Sequence, residues 1–129
     1  MIHVVDTHGL VRHLESAPSL GRRAHEVLSD PESFLVVPTI VLAEARYMSA
    51  SRRLRVSWER VLQGVLADDR YAIYPLTVDI LREIDTRLEM HDAIICATAM
   101  LLRDSLGEGV VVITRDKEIR ESGLVETVW

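Results

Sequence analysis

The stretch Val110-Val111-Val112-Ile113-Thr114-Arg115-Asp116 decides the fold. Four successive β-branched residues, with no polar residue alternating between them, read as a strand buried on both faces. That is the grammar of a parallel sheet covered by helices. Just upstream, residues 92–106 form the most apolar helical segment, ended by Gly107 and Gly109. Just downstream, 116–121 reads as a short helix and Val125–Val128 as a last strand. The pattern repeats towards the N-terminus. Residues 2–6 form a short apolar strand, Phe34-Leu35-Val36-Val37 a buried strand stopped by Pro38, and Tyr71-Ala72-Ile73-Tyr74 a strand ended by Pro75. Helices are expected over 7–15, 19–29, 39–50, 54–67 and 77–88, the last with Val78, Leu81, Ile84 and Leu88 at 3,3,4 spacing. Alternating elements of this kind predict one α/β domain over residues 1–129. Its central sheet should be mostly parallel, with helices on both faces.

Bulk properties narrow the function. The 129 residues suffice for one ordinary core, and 48% apolar with 27% charged residues is a globular composition. A single cysteine, Cys96, excludes an intrachain disulfide and a cysteine-based zinc site, and fits a reducing cytoplasm. No apolar run approaches the roughly 20 residues that span a bilayer, and Asp6 and His8 interrupt the N-terminal segment where a signal peptide would be apolar. The expectation is a cytoplasmic protein with no membrane partner. The formal charge of −5 argues against a broad phosphate-binding surface. Its cations are nevertheless clustered: Arg52, Arg53, Arg55 and Arg60 lie within ten residues, opposed there by Glu59 alone. Such a cluster suits phosphate or carboxylate recognition, or is simply a solvated loop.

Four acids stand at element edges among apolar residues. Asp6 closes Ile2-His3-Val4-Val5, Glu44 lies within Thr39-Ile40-Val41-Leu42-Ala43-Glu44-Ala45, Asp92 opens the apolar run 93–100, and Asp116 follows the quoted strand. A carboxylate at the edge of a core needs a cation, a capping role or a hydrogen-bonded partner. Asp6, Asp92 and Asp116 each stand where an N-cap would. Glu44 does not, because it falls in the second turn of its helix, beside Ile40, Tyr47 and Met48 at helical spacing, and points either into a site or along a rim. Capping and cation binding are compatible, and four such acids suggest one shared hard cation, Mg²⁺. Thr7 and Thr114 have hydroxyls able to orient a ligand carboxylate or a water, or to bond the local backbone. His8 and His91 adjoin the acids, with solvated or outer roles the simpler reading. Asp79, Glu83 and Asp85, with Arg82 and Arg87, read as a solvated helical face. A Gly-rich phosphate loop, a G-x-S-x-G elbow and an H-E-x-x-H pair do not occur.

These residues, in this order, resemble a PIN domain, and more closely the VapC-like toxins of toxin–antitoxin pairs. The likeness runs through Val4-Val5-Asp6-Thr7-His8-Gly9-Leu10, Ile40-Val41-Leu42-Ala43-Glu44-Ala45, His91-Asp92-Ala93-Ile94-Ile95-Cys96-Ala97-Thr98-Ala99 and Ile113-Thr114-Arg115-Asp116-Lys117-Glu118-Ile119. Each motif is short; together they span nearly the whole chain. The resemblance implies a Mg²⁺- or Mn²⁺-dependent ribonuclease, a small antitoxin partner and a homodimer. It implies that Asp6, Glu44, Asp92 and Asp116 are the catalytic, metal-site acids, with Glu118 an accessory acid. Arg52, Arg53 and Arg55 would then contact RNA or the antitoxin. A PIN-like module that only sequesters RNA or a protein is the competing expectation. A phosphotransfer domain is disfavoured, since Asp6-Thr7-His8 lacks the second Asp two residues on.

Overall fold

The apolar runs become five strands in the computed structural model, which describes residues 1–129: β1 (Ile2–Val5), β2 (Phe34–Pro38), β3 (Tyr71–Tyr74), β4 (Val110–Ile113) and β5 (Glu126–Val128). Between them run α1 (Thr7–Leu14), α2 (Arg22–Ser29), α3 (Thr39–Ala50), α4 (Trp58–Leu66), α5 (Val78–Arg82), α6 (Met90–Leu106) and α7 (Lys117–Ser122). The strand order is β3-β2-β1-β4-β5, and every pairing is parallel. All four residues of β4 are buried, as are the successive Val4 and Val5 of β1. Adjacent strand residues face opposite sides, so both faces of the sheet are covered, as the unbroken apolar runs require. No helix is long and apolar enough to cross a membrane.

Several boundaries differ from expectation for identifiable reasons. The helix expected over 77–88 stops at Arg82. Asp85 then accepts the Arg87 backbone N–H at 3.0 Å and pairs with its guanidinium, so this segment closes as a turn. The residue that α5 buries is Ile80, packed against Ile94 and Ala97 of α6, whereas Val78 and Leu81 of the expected stripe are exposed. The helix expected from residue 54 begins at Trp58, because Ser57 caps it by accepting the Arg60 N–H. Residues 55 and 56 are held outside it: both donate their N–H to the Glu15 carboxylate at the end of α1. The helix expected over 19–29 begins at Arg22, with Gly21 at the N-cap. Phe34, placed in a buried strand, is half exposed at the start of β2. Cys96 is buried, and burial lifts its thiol to about 12, which marks an inert core residue.

The strand register brings two site residues together. Val5 of β1 pairs with Ile113 of β4. The first residues beyond the carboxyl ends of these neighbours are Asp6 and Thr114, so they stand side by side. In open parallel sheets this edge collects ligand-binding groups.

Candidate functional site

Asp6 leaves β1 and caps α1: its Oδ1 accepts the Gly9 N–H at 2.7 Å. A Cβ on residue 9 would lie 3.0 Å from that oxygen and 3.2 Å from Ile113 Cγ2, so glycine permits the close approach. The carboxyl is 6% exposed, and burial pushes its pKa above the usual range. The nearby Thr114 hydroxyl and the hydrogen bond from the Gly9 N–H oppose the rise, while the charge of Glu44 adds to it. Thr114 is fully buried, and its Oγ1 also accepts the Asp116 N–H at 3.0 Å. It thus fixes the Asp116 backbone while its hydroxyl stands next to Asp6. Asp116 in turn caps α7 by accepting the Ile119 N–H at 2.9 Å.

The other two acids come from helices. α3 packs against α1 and α6, which sets Glu44 beside the start of α6. Val41, Ala45 and Met48 form the inward stripe of α3, and Glu44 is half-buried at its edge; Ile40, Tyr47 and Met48 share its side of the helix as expected, with Tyr47 76% exposed at the rim. Asp92 is not the helix cap that its position suggested. Glu89 caps α6 by accepting the His91 N–H, and Asp92 lies in the first turn. Without a capping bond, Asp92 faces the other acids. Burial first, then Asp116, Glu89, Glu44 and Asp6 in that order, lift its pKa to about 6.

Asp6, Glu44, Asp92 and Asp116 together line one cavity of about 150 Å³, along with Thr7, His8, Glu89 and Ile95. Asp6, Thr7, Glu44, Asp92 and Asp116, expected at the site, are therefore brought together from four separate elements. Thr114 supports them from beneath. Glu118 is not among them; it is exposed on α7 and lines a different cavity with Asp85 and Arg87. Being two residues past the Asp116 cap, it is turned around the helix and away from the acids. Arg53 lines an adjoining cavity, while Arg52 and Arg55 are exposed and line neither. Two groups were missed. Glu89 is one, because Glu is a weak N-cap signal. The pairing role of His91 is the other: its Nδ1 lies 3.3 Å from Glu44 Oε2 and 3.5 Å from Glu89 Oε1.

The donors suit a hard divalent cation: four carboxylates, no sulfur, and a repulsion among them that a cation would relieve. As oriented, no three His, Cys, Asp or Glu side chains converge tightly enough to chelate one ion. The cavity has room for an ion together with several of its waters, which is how Mg²⁺ is commonly held.

Thr114→Val is expected to strand the Asp116 N–H and take a polar hydroxyl away from Asp6, at a cost of order 1–3 kcal/mol in thermal melts. Mg²⁺ affinity, read by calorimetric titration, should fall about 10- to 100-fold.

Such an arrangement, on a five-stranded parallel sheet, defines a class: the chain belongs to the PIN domain family, which matches residues 3–123. Its fold is similar to that of VapBC2 from Rickettsia felis, crystallised with a DNA fragment from their promoter (TM-score 0.70, 15% identity, covering 100% of this chain and 99% of that one). It is also similar to a toxin–antitoxin complex from Klebsiella pneumoniae (TM-score 0.67, 22% identity, covering 98% and 96%). FitAcB from Neisseria gonorrhoeae gives a TM-score of 0.62 at 20% identity, covering 100% and 97%. No curated protein matches the sequence.

Proposed function

We propose that this chain is a divalent-cation-dependent endoribonuclease acting as the toxin of a toxin–antitoxin pair, in the cytoplasm, with a small antitoxin and a second copy of itself as partners. The observation that carries the reading is the convergence of Asp6, Glu44, Asp92 and Asp116 on one cavity, with Asp92 lifted to about 6 largely by burial and its acidic neighbours. Membership of the PIN family and the likeness to toxin–antitoxin complexes support it.

Asp6, Asp92 and Asp116 would hold the ion, directly or through water. Mg²⁺ or Mn²⁺, when bound, supplies a water of lowered pKa and offsets charge growing on the phosphodiester. Glu44, steadied by His91 at 3.3 Å, is placed to bind the ion or to orient the attacking water. Thr114 keeps Asp6 and Asp116 in register. Arg53, beside the cavity, counters the repulsion between an acidic site and a polyanion.

Incubating the purified chain with total RNA tests the proposal. Cleavage should appear with Mg²⁺ or Mn²⁺ and disappear with chelator. Intact RNA under both conditions would reject it. A second reading, a binding module without catalysis, draws on the absence of a ready-made chelate. It requires an Asp6→Ala, Asp116→Ala double variant to keep full biological activity, whereas the nuclease reading requires that activity to be lost.

A further inference from the structure

Beside the acid cavity lies a second one of about 550 Å³ that shares His8, Glu44 and Glu89 with it. Its character is different. Ile40, Ala43 and Met48 supply an apolar floor, Tyr47 stands at its edge, and Arg53 is its one permanently charged cation. Tyr47 is 76% exposed, more than any other large apolar side chain in the protein. It sits one helical turn beyond Glu44, so the ring and the carboxylate share a side of α3. A ring in that position gains nothing for the fold. It is a free planar surface beside a candidate reaction centre.

Arg53 is placed there deliberately by the backbone. Arg52 adopts a left-handed conformation at φ 58°, a costly one for a residue with a side chain. The reversal lets the Arg53 N–H donate to Met48 O at 2.9 Å, folding the chain back over the end of α3. The Arg53 Nε then donates to Ser51 Oγ at 2.9 Å, which leaves the remaining guanidinium nitrogens facing solvent beside the cavity.

We propose that this cavity is a nucleotide subsite. Tyr47 stacks on one unpaired base of the RNA, and Arg53 contacts the adjoining phosphate, while the neighbouring phosphodiester enters the acid cavity. Aromatic stacking needs an exposed base face, which a duplex hides, so this subsite takes an unpaired nucleotide. Glu44 and Glu89 also line this cavity, so the phosphate contact falls on its Arg53 side, where the guanidinium offers a cation. This inference rests on the nuclease reading only for the chemistry; the subsite can bind RNA whether or not cleavage follows.

The test combines binding with cleavage. A fluorescent random-sequence single-stranded RNA pool is titrated with the Asp92→Asn protein, with and without a further change at Tyr47, and the same variants are made in the wild-type background for kinetics. Tyr47→Ala should weaken single-strand binding, and raise KM, by about tenfold or more, with kcat changed far less. Tyr47→Phe should behave like the parent, and Tyr47→Leu like the alanine variant. Annealing the pool to its complement should abolish the difference between Tyr and Ala. If the wild type cleaves RNA and Tyr47→Ala leaves KM and binding unchanged, the subsite is wrong and the nuclease stands. If nothing is cleaved but the Ala, Leu and Phe series orders binding as stated, the subsite stands and the nuclease falls. Loss of self-association in Tyr47→Ala, measured by light scattering, with RNA binding intact would make the ring a protein contact and overturn the proposal.

Discussion

Asp92→Asn is expected to lower RNA cleavage by at least about 10²-fold while making the metal-free protein more stable at pH 7. The two effects have one cause. Asp92 is ionised at neutral pH against burial and the charges of Asp116, Glu89, Glu44 and Asp6. Its pKa is about 6 in the fold against an ordinary 3.8. Between those values the folded chain holds more protons than the unfolded chain, so stability falls as pH rises across this window. Above pH 6 the full penalty is present, about 1–2 kcal/mol once solvent screening at this half-buried group is discounted. Asparagine keeps the shape and removes the charge. Its melting temperature in chelator should exceed that of the parent by roughly 3–8 °C at pH 7, with the gap closing towards pH 4. Scanning calorimetry at several pH values reads this directly. A variant that melts lower than the parent would make Asp92 a structural group, and one that still cuts RNA would remove it from the site.

A divalent cation should also raise the melting temperature, and by more. At a hundredfold excess over its Kd, Mg²⁺ stabilises the fold by about 2.7 kcal/mol, or roughly 8–13 °C for a domain of this size. The pH dependence reverses with it. Ion binding needs the carboxylates ionised, so this stabilisation is present above pH 6 and is lost as Asp92, and Asp6 with its raised pKa, take up protons. With Mg²⁺ the protein should therefore melt higher at pH 7 than at pH 5, and with chelator the order should invert. An Asp6→Ala, Asp116→Ala double variant should show no response to the ion. Melting curves indifferent to Mg²⁺ at every pH would reject the shared-cation site.

The strands were readable because local composition dictates them. Val110–Ile113 has no polar residue to offer solvent, so it must be covered on both sides, and a parallel sheet follows. The same holds for Asp6, directly after β1, and Asp116, three residues past the end of β4, each an N-cap in the fold. Pattern failed where a short polar turn or a distant contact won. The 3,3,4 spacing of residues 78–88 promised a long helix, but the Asp85–Arg87 turn ended it and Ile80 became the buried residue. Residues 55 and 56 are drawn out of α4 by Glu15, about forty positions away, which no local window can register.

From the order of residues alone come the α/β class, the edge positions of four acids and the reason a lone carboxylate there would be uncomfortable. Their meeting is another matter. Asp6 and Thr114 are neighbours because β1 and β4 pair in one register out of many, and Glu44 reaches them because α3 happens to pack between α1 and α6. Helix packing likewise admits Glu89 and leaves Tyr47 and Arg53 standing at the rim, while the turn of α7 itself carries Glu118 away from the set. Spacing along a chain limits what can be adjacent; long-range packing free energy selects which of those adjacencies occurs.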